Sequence, residues 1–124
     1  MSGTSLLLIV ANVFLTAIGQ VLLKAGVMKH PVQAAISEDN WAAVLPAFAS
    51  QPLVLAGLAA YGIAVVIWLL VLARVSLSTA YPFVALSIAL TTLLGAFTFG
   101  ETFTLPKLAG TAVIMAGVIL LARG

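Results

Sequence analysis

Leu53–Leu72 reads LVLAGLAAYGIAVVIWLLVL, a run without a charged residue that stops just short of Arg74. A helix of roughly 20 predominantly apolar residues crosses a hydrocarbon core about 30 Å thick. This run has that length by itself. Working outward from it, three more runs are comparably apolar, the last carrying one charge, Lys107, near its start. Leu6–Leu23 stops at Lys24, Thr79–Phe99 ends at Gly100-Glu101, and Leu105–Ala122 is closed by Arg123. No charge falls at the centre of a run, as expected if Lys, Arg or Asp there costs about 2.5–3.5 kcal/mol. The spacing therefore predicts an all-α membrane protein with four transmembrane helices in a single domain over residues 1–124.

Composition agrees. Of the 124 residues, 64% are apolar and 6% charged, against about 45–50% and about 25% in an ordinary soluble domain. Five basic and three acidic side chains cannot cover a water-soluble globule. A net charge of +2, dispersed along the chain, gives no nucleic-acid footprint. With no cysteine and one histidine, thiolate metal sites and thiol catalysis are excluded. No nucleophile–base pair and no Gly-rich nucleotide loop is present. Neither an enzyme, a metal nor a cofactor is expected. Met1–Ser5 lacks a basic side chain and Lys24-Ala25-Gly26 is a poor cleavage context, so the first span is expected to remain rather than to leave as a signal peptide.

The connections differ in length. Ala73–Ser78 and Gly100–Thr104 are short, which makes successive spans antiparallel neighbours. Ala25–Pro52 is longer. Within it Trp41, Val44, Leu45 and Phe48 recur with helical spacing, predicting a short interfacial helix between spans one and two, anchored by Trp41. Ser37-Glu38-Asp39-Asn40 is expected to supply its N-cap, and Pro46 to limit its regularity. A lid over a lateral opening is the alternative. Four spans place Arg74 and Arg123 on one side and Lys24, Lys29 and Lys107 on the other. That charge balance leaves orientation open and permits an antiparallel pair.

Polar groups inside the spans mark candidate substrate-binding residues. Asn12, Thr16 and Gln20 recur every four residues on one face of the first helix, and Lys24 continues the row to the membrane boundary. Such groups face protein or a water-filled cavity, since lipid offers no hydrogen-bond partner. Interhelical hydrogen bonding is the competing role for the row, and a snorkelling anchor for Lys24. Ser78-Thr79-Ala80-Tyr81-Pro82 opens the third span, where the proline disfavours helical geometry at Tyr81. Ser87 and Thr91, one turn apart, are placed to face the Asn12–Gln20 row. Small residues at Ala56, Ala60 and Ala64, and at Ala109, Ala112 and Ala116, suit close helix approach or a dimer seam. Glu101, at the interface, is expected to accept backbone hydrogen bonds in the turn before span four. His30, beside Pro31, has no assigned site.

Gly100-Glu101, Leu105-Pro106, Leu108-Ala109-Gly110 and Met115-Ala116-Gly117-Val118-Ile119-Leu120-Leu121 resemble the terminal hairpin of the drug/metabolite transporter superfamily (EamA-type). Four spans, and Ile18-Gly19-Gln20-Val21-Leu22-Leu23-Lys24, are similar to its small multidrug resistance branch. The resemblance implies a small-multidrug-resistance-like bundle. Two departures stand out. Proton-coupled members carry a glutamate where this chain has Thr16, and a tryptophan where it has Val84, so the antiport mechanism does not transfer. Gly19-Gln20, Trp68-Leu69-Leu70-Val71-Leu72 and Ala80-Tyr81-Pro82 instead resemble the aminoarabinose-phosphoundecaprenol flippase subunits. That likeness implies movement of a polyprenyl-phosphate-linked sugar or similar lipid across the inner membrane. It also implies a homodimer, or a heterodimer with a paralogous subunit. A small-molecule exporter of amines or metabolites, and a non-transporting partner subunit, are the other functions in play.

Overall fold

In the computed structural model, residues 2–123 are described, and Met1 and Gly124 lie outside them. The described residues contain helices and turns and no strand. Helix α1 runs Gly3–Val27, with the Ser2 side chain accepting the Ser5 N–H as an N-cap. Helices α2 (His30–Ser37) and α3 (Trp41–Ser50) follow, then α4 (Pro52–Arg74), which starts on a proline where the missing N–H costs nothing. After Val75-Ser76 come α5 (Leu77–Ala80), a 3₁₀ turn at Tyr81–Phe83, and α6 (Val84–Phe99). Helix α7 spans Leu105–Arg123. Three stretches, Gly3–Val27, Pro52–Arg74 and Leu77–Phe99, are long and apolar enough to cross a membrane, and α3 and α7 are shorter apolar helices.

The chain between the first two long helices departs from expectation. It holds two helices, not one. Ser37-Glu38-Asp39-Asn40 does not cap α3, because the Asn40 side chain makes no capping bond there. The segment instead ends α2. The Asn40 N–H reaches the Ala35 carbonyl at 3.0 Å and the Asp39 N–H that of Ile36 at 3.1 Å, with Asp39 in the left-handed region at φ 53°. This is the paired closure that satisfies a helix's last carbonyls. The α2 helix was not legible because His30–Ser37 is short and Pro31 reads as a breaker, whereas in the first turn a proline is harmless. Pro46 sits inside α3 without ending it. Trp41 and Leu45 stand exposed while Val44 turns inward.

Helix α1 is the spine. It packs along α4, and α6 leans on it, while α7 touches α6 and the Tyr81–Phe83 turn. The α1–α4 seam is built on glycines. A β-carbon on Gly57 would stand 3.0 Å from the Gly19 carbonyl oxygen, and one on Gly26 would stand 2.8 Å from the Val54 nitrogen. Backbone packing this close is what holds helices together where lipid removes the hydrophobic drive. The expected alanine rows contribute less. Ala64 is buried in the seam, but Ala56, Ala109, Ala112 and Ala116 face outward. Ile9, Val13, Val71 and Ala80 form the core at one end of the bundle, flanked by Trp68, Phe83 and Leu86. Apolar side chains cover the outside as well, Phe97 being 84% exposed, as suits a hydrocarbon solvent.

Candidate functional site: a polar groove over helix α1

Helices α4 and α6 flank α1 without packing along each other, and the space between them is a groove. It is made of adjoining cavities that share residues. The first, about 180 Å³, is lined by Asn12, Thr16, Tyr61, Trp68, Tyr81 and Ser87, among others. The second, about 410 Å³, adds Gln20, Thr91 and Thr92 to Thr16, Tyr61 and Ser87. The third, about 200 Å³, holds Gln20, Lys24, Thr91 and Glu101. Every residue read from the sequence as substrate-binding lines this groove. From Asn12 to Lys24 the helix rises about 18 Å, more than half of a hydrocarbon core about 30 Å thick.

The groove's polar atoms divide by what holds them. Asn12 Nδ2 donates to the Ala64 carbonyl at 2.7 Å, so this amide nitrogen ties α1 to α4 as an interhelical bond. Ser87, 6% exposed, returns its hydroxyl to the Val84 carbonyl at 2.6 Å. Thr92 does the same to Ile88 at 2.8 Å. Gln20 Nε2 donates to the Tyr61 hydroxyl, and that ring lies on Gly19, where a β-carbon would come within 2.9 Å of it. Thr16 is half-buried and lines both the first and the second cavity. Lys24 is exposed, three residues short of the end of α1, and is one of the residues that line the third cavity.

At the opposite end Tyr81 is 60% exposed and meets Trp68 edge-on, with ring centroids 6.4 Å apart. Tyr81, expected to leave helical geometry before its proline, retains helical dihedrals (φ −63°, ψ −35°), and Tyr81–Phe83 forms a 3₁₀ turn in which the proline's missing N–H falls in the first turn. Val84 lines the same cavity, and Trp68 of α4 supplies an aromatic wall beside it.

Two further chains of known naming resemble this one along nearly its whole length. It is 40% identical over 116 residues to a protein of Pseudomonas paraeruginosa named as a probable 4-amino-4-deoxy-L-arabinose-phosphoundecaprenol flippase subunit ArnE, covering 94% of this chain and 95% of that one. It is 36% identical over 118 residues to a Pseudomonas fluorescens protein named as the probable ArnF subunit of such a flippase, covering 88% and 86%. The chain belongs to the aminoarabinose-phosphoundecaprenol flippase subunit family. An uncharacterized protein of Sinorhizobium fredii, y4nH, is also similar, at 32% identity over 125 residues and 99% of its length. No family model and no solved structure matches the chain.

For a flippase-subunit family member, three groove residues stand out that the sequence reading did not assign to the site. Tyr61 is the partner of Gln20, and Trp68 and Glu101 line the groove's two ends. Tyr61 left a signal: it is the one hydroxyl-bearing residue in Leu53–Leu72, placed mid-span and away from the interfacial belt that tyrosines favour. Glu101 also corrects an expectation. The turn into α7 is met by Thr104, whose hydroxyl accepts the Lys107 N–H at 3.4 Å, because Thr104 stands three residues ahead of that N–H, where an N-cap belongs. No cluster of three metal-ligating side chains occurs among the described residues.

Proposed function

We propose that this chain is a transport subunit, not an enzyme, of a flippase that moves a polyprenyl-phosphate-linked amino sugar across the inner membrane. The groove carries the reading. A headgroup crossing a bilayer needs hydrogen-bond partners at successive depths, because hydrocarbon provides none, while its polyprenyl tail must stay in lipid. Thr16, Gln20, Tyr61, Thr91 and Thr92 offer neutral partners along one face, and the gap between α4 and α6 leaves a side for the tail. Lys24 meets the phosphate at one end. Thr16 replaces the carboxylate that a proton-exchange mechanism would titrate at this depth.

In this reading α7 is a fourth span, so residues 1–124 form one four-span domain of the small-multidrug-resistance-like, EamA-type design within the drug/metabolite transporter superfamily. Helices α2 and α3 lie at the interface, with Trp41 as anchor. The groove of one subunit is open, and a second subunit closes it. The relatives carry two subunit names for one flippase, which favours a paralogous partner over a second copy.

The test is reconstitution. Vesicles containing the purified assembly and a labelled polyprenyl-phosphate amino sugar are expected to expose inner-leaflet lipid to an outside probe faster than empty vesicles. Equal rates, with the protein folded and inserted, would overturn the proposal.

A further inference from the structure

The end of the groove beside Lys24 also holds a carboxylate. Glu101 follows Gly100, whose φ of 63° turns the chain out of α6. Its Oε1 then folds back over α6, so close to Gly95 that a β-carbon there would stand 2.5 Å away. With hydrogen alone at position 95, the carboxylate rests directly against the α6 backbone. Glu101 thus lines the cavity of about 200 Å³ with Gln20, Lys24 and Thr91. It also lines the neighbouring one of about 470 Å³ with Thr92, Thr102 and Lys107.

The hydrogen bonds that shape the turn into α7 are made without that carboxylate. The start of α7 is capped by Thr104, and the Lys107 ammonium donates to the Thr102 carbonyl at 3.2 Å. A carboxylate beside a phosphate site is unfavourable, since like charges repel, unless the ligand brings a cation with its anion. One cavity offering a cation from α1, a carboxylate from the α6–α7 turn, and neutral partners from Gln20 and Thr91 is complementary to a zwitterion. We propose that Glu101 is the specificity-determining residue for an amine on the headgroup, its carboxylate accepting hydrogen bonds from the protonated amino group of a sugar whose phosphate meets Lys24. This rests on the flippase reading and adds to it the feature by which an amino-sugar lipid is told from a neutral one.

The experiment uses the full-length chain, purified from its membrane with any subunit that accompanies it. Binding of three probes is compared: polyprenyl phosphate, the same lipid bearing a neutral pentose, and the same lipid bearing an aminopentose. Wild type is expected to bind the aminopentose lipid about tenfold more tightly than the neutral one, as a charge-assisted hydrogen bond allows. Glu101→Gln should bring the two to one level, and Glu101→Asp should keep part of the difference. Polyprenyl phosphate, having no amine, should bind Glu101→Gln at least as tightly as wild type, which also shows that the variant is folded. A preference that survives Glu101→Gln, or wild type without preference, overturns the inference and leaves the flippase reading standing. Wild type binding none of the three lipids removes both.

Discussion

Replacing Gly19 with alanine puts a methyl group where the Tyr61 ring stands. Its carbon would sit 2.9 Å from Cδ2 and 3.2 Å from Cε2 of Tyr61, and 3.3 Å from the Gly57 carbonyl oxygen. Carbon atoms settle at about 3.5–4.0 Å, so the ring must retreat by at least roughly 0.6 Å. Overpacking of this kind costs about 1–3 kcal/mol. A displaced ring also loosens the bond from Gln20 to the Tyr61 hydroxyl, and interhelical bonds in membranes are worth about 0.6–2 kcal/mol. Against this, alanine is the better helix former by about 1 kcal/mol. The net loss expected is about 2 kcal/mol, read from denaturant-driven unfolding in mixed micelles. The decisive comparison repeats Gly19→Ala in a Tyr61→Ala background. With the ring gone, its two close approaches vanish and the 3.3 Å approach to Gly57 stays, and the penalty should shrink by at least about 1 kcal/mol. An unchanged penalty in that background would refute the idea that the ring and Gly19 share one space. Lipid flipping by Gly19→Ala should fall as well, because Tyr61 lines the groove.

Other outcomes follow from the same geometry. Asn12→Leu removes the bond to the Ala64 carbonyl and should cost about 0.6–1.7 kcal/mol, measured in the same unfolding assay; a neutral result would mean that the amide does not tie α1 to α4. Gly100→Ala forces a β-carbon into the left-handed region at the end of α6 and should destabilise by about 1–2 kcal/mol. The opposite sign is expected at Asp39, where φ is 53°: Asp39→Gly should raise the thermal midpoint slightly, by up to about 1 kcal/mol of added stability, and a fall would contradict the closure described for α2. Lys24→Gln should weaken binding of polyprenyl phosphate about tenfold without changing helical content by circular dichroism, and equal binding would return Lys24 to the role of a membrane anchor.

Much of the site was legible along the chain. The row Asn12, Thr16, Gln20 and Lys24 is four-residue periodicity on one helix, which needs no tertiary information, and Ser87 and Thr91 follow by the same rule. Tyr61 and Trp68 escaped because α4 is apolar on every side, and its one periodic signal, the row Ala56, Ala60 and Ala64, coincides with the buried seam only at Ala64. Glu101 escaped for a different reason. Its place follows from the backbone reversal at Gly100, which folds it back against Gly95, and the nearest sequence-local explanation, a cap for α7, belonged to Thr104. In the connection after α1, the polar stretch Ser37–Asn40 marks a helix boundary truthfully, but a boundary shared by α2 and α3 reads alike from either side.

The sequence by itself determined that this chain lies in a membrane as helices. Long uncharged runs have no other stable home, and in hydrocarbon a helix satisfies its own backbone. It also determined which polar groups share a face of α1. What only the tertiary structure decided is what those groups face. The glycines at 19, 26 and 57 draw α4 onto α1, while α6 leans on α1 without closing against α4. That arrangement turns a stripe on one helix into a groove with two walls. It brings Tyr61 to Gln20 and Glu101 to the cavity of Lys24 across distances in sequence that no helical period connects, because packing between backbones, and not pattern along them, sets which residues meet.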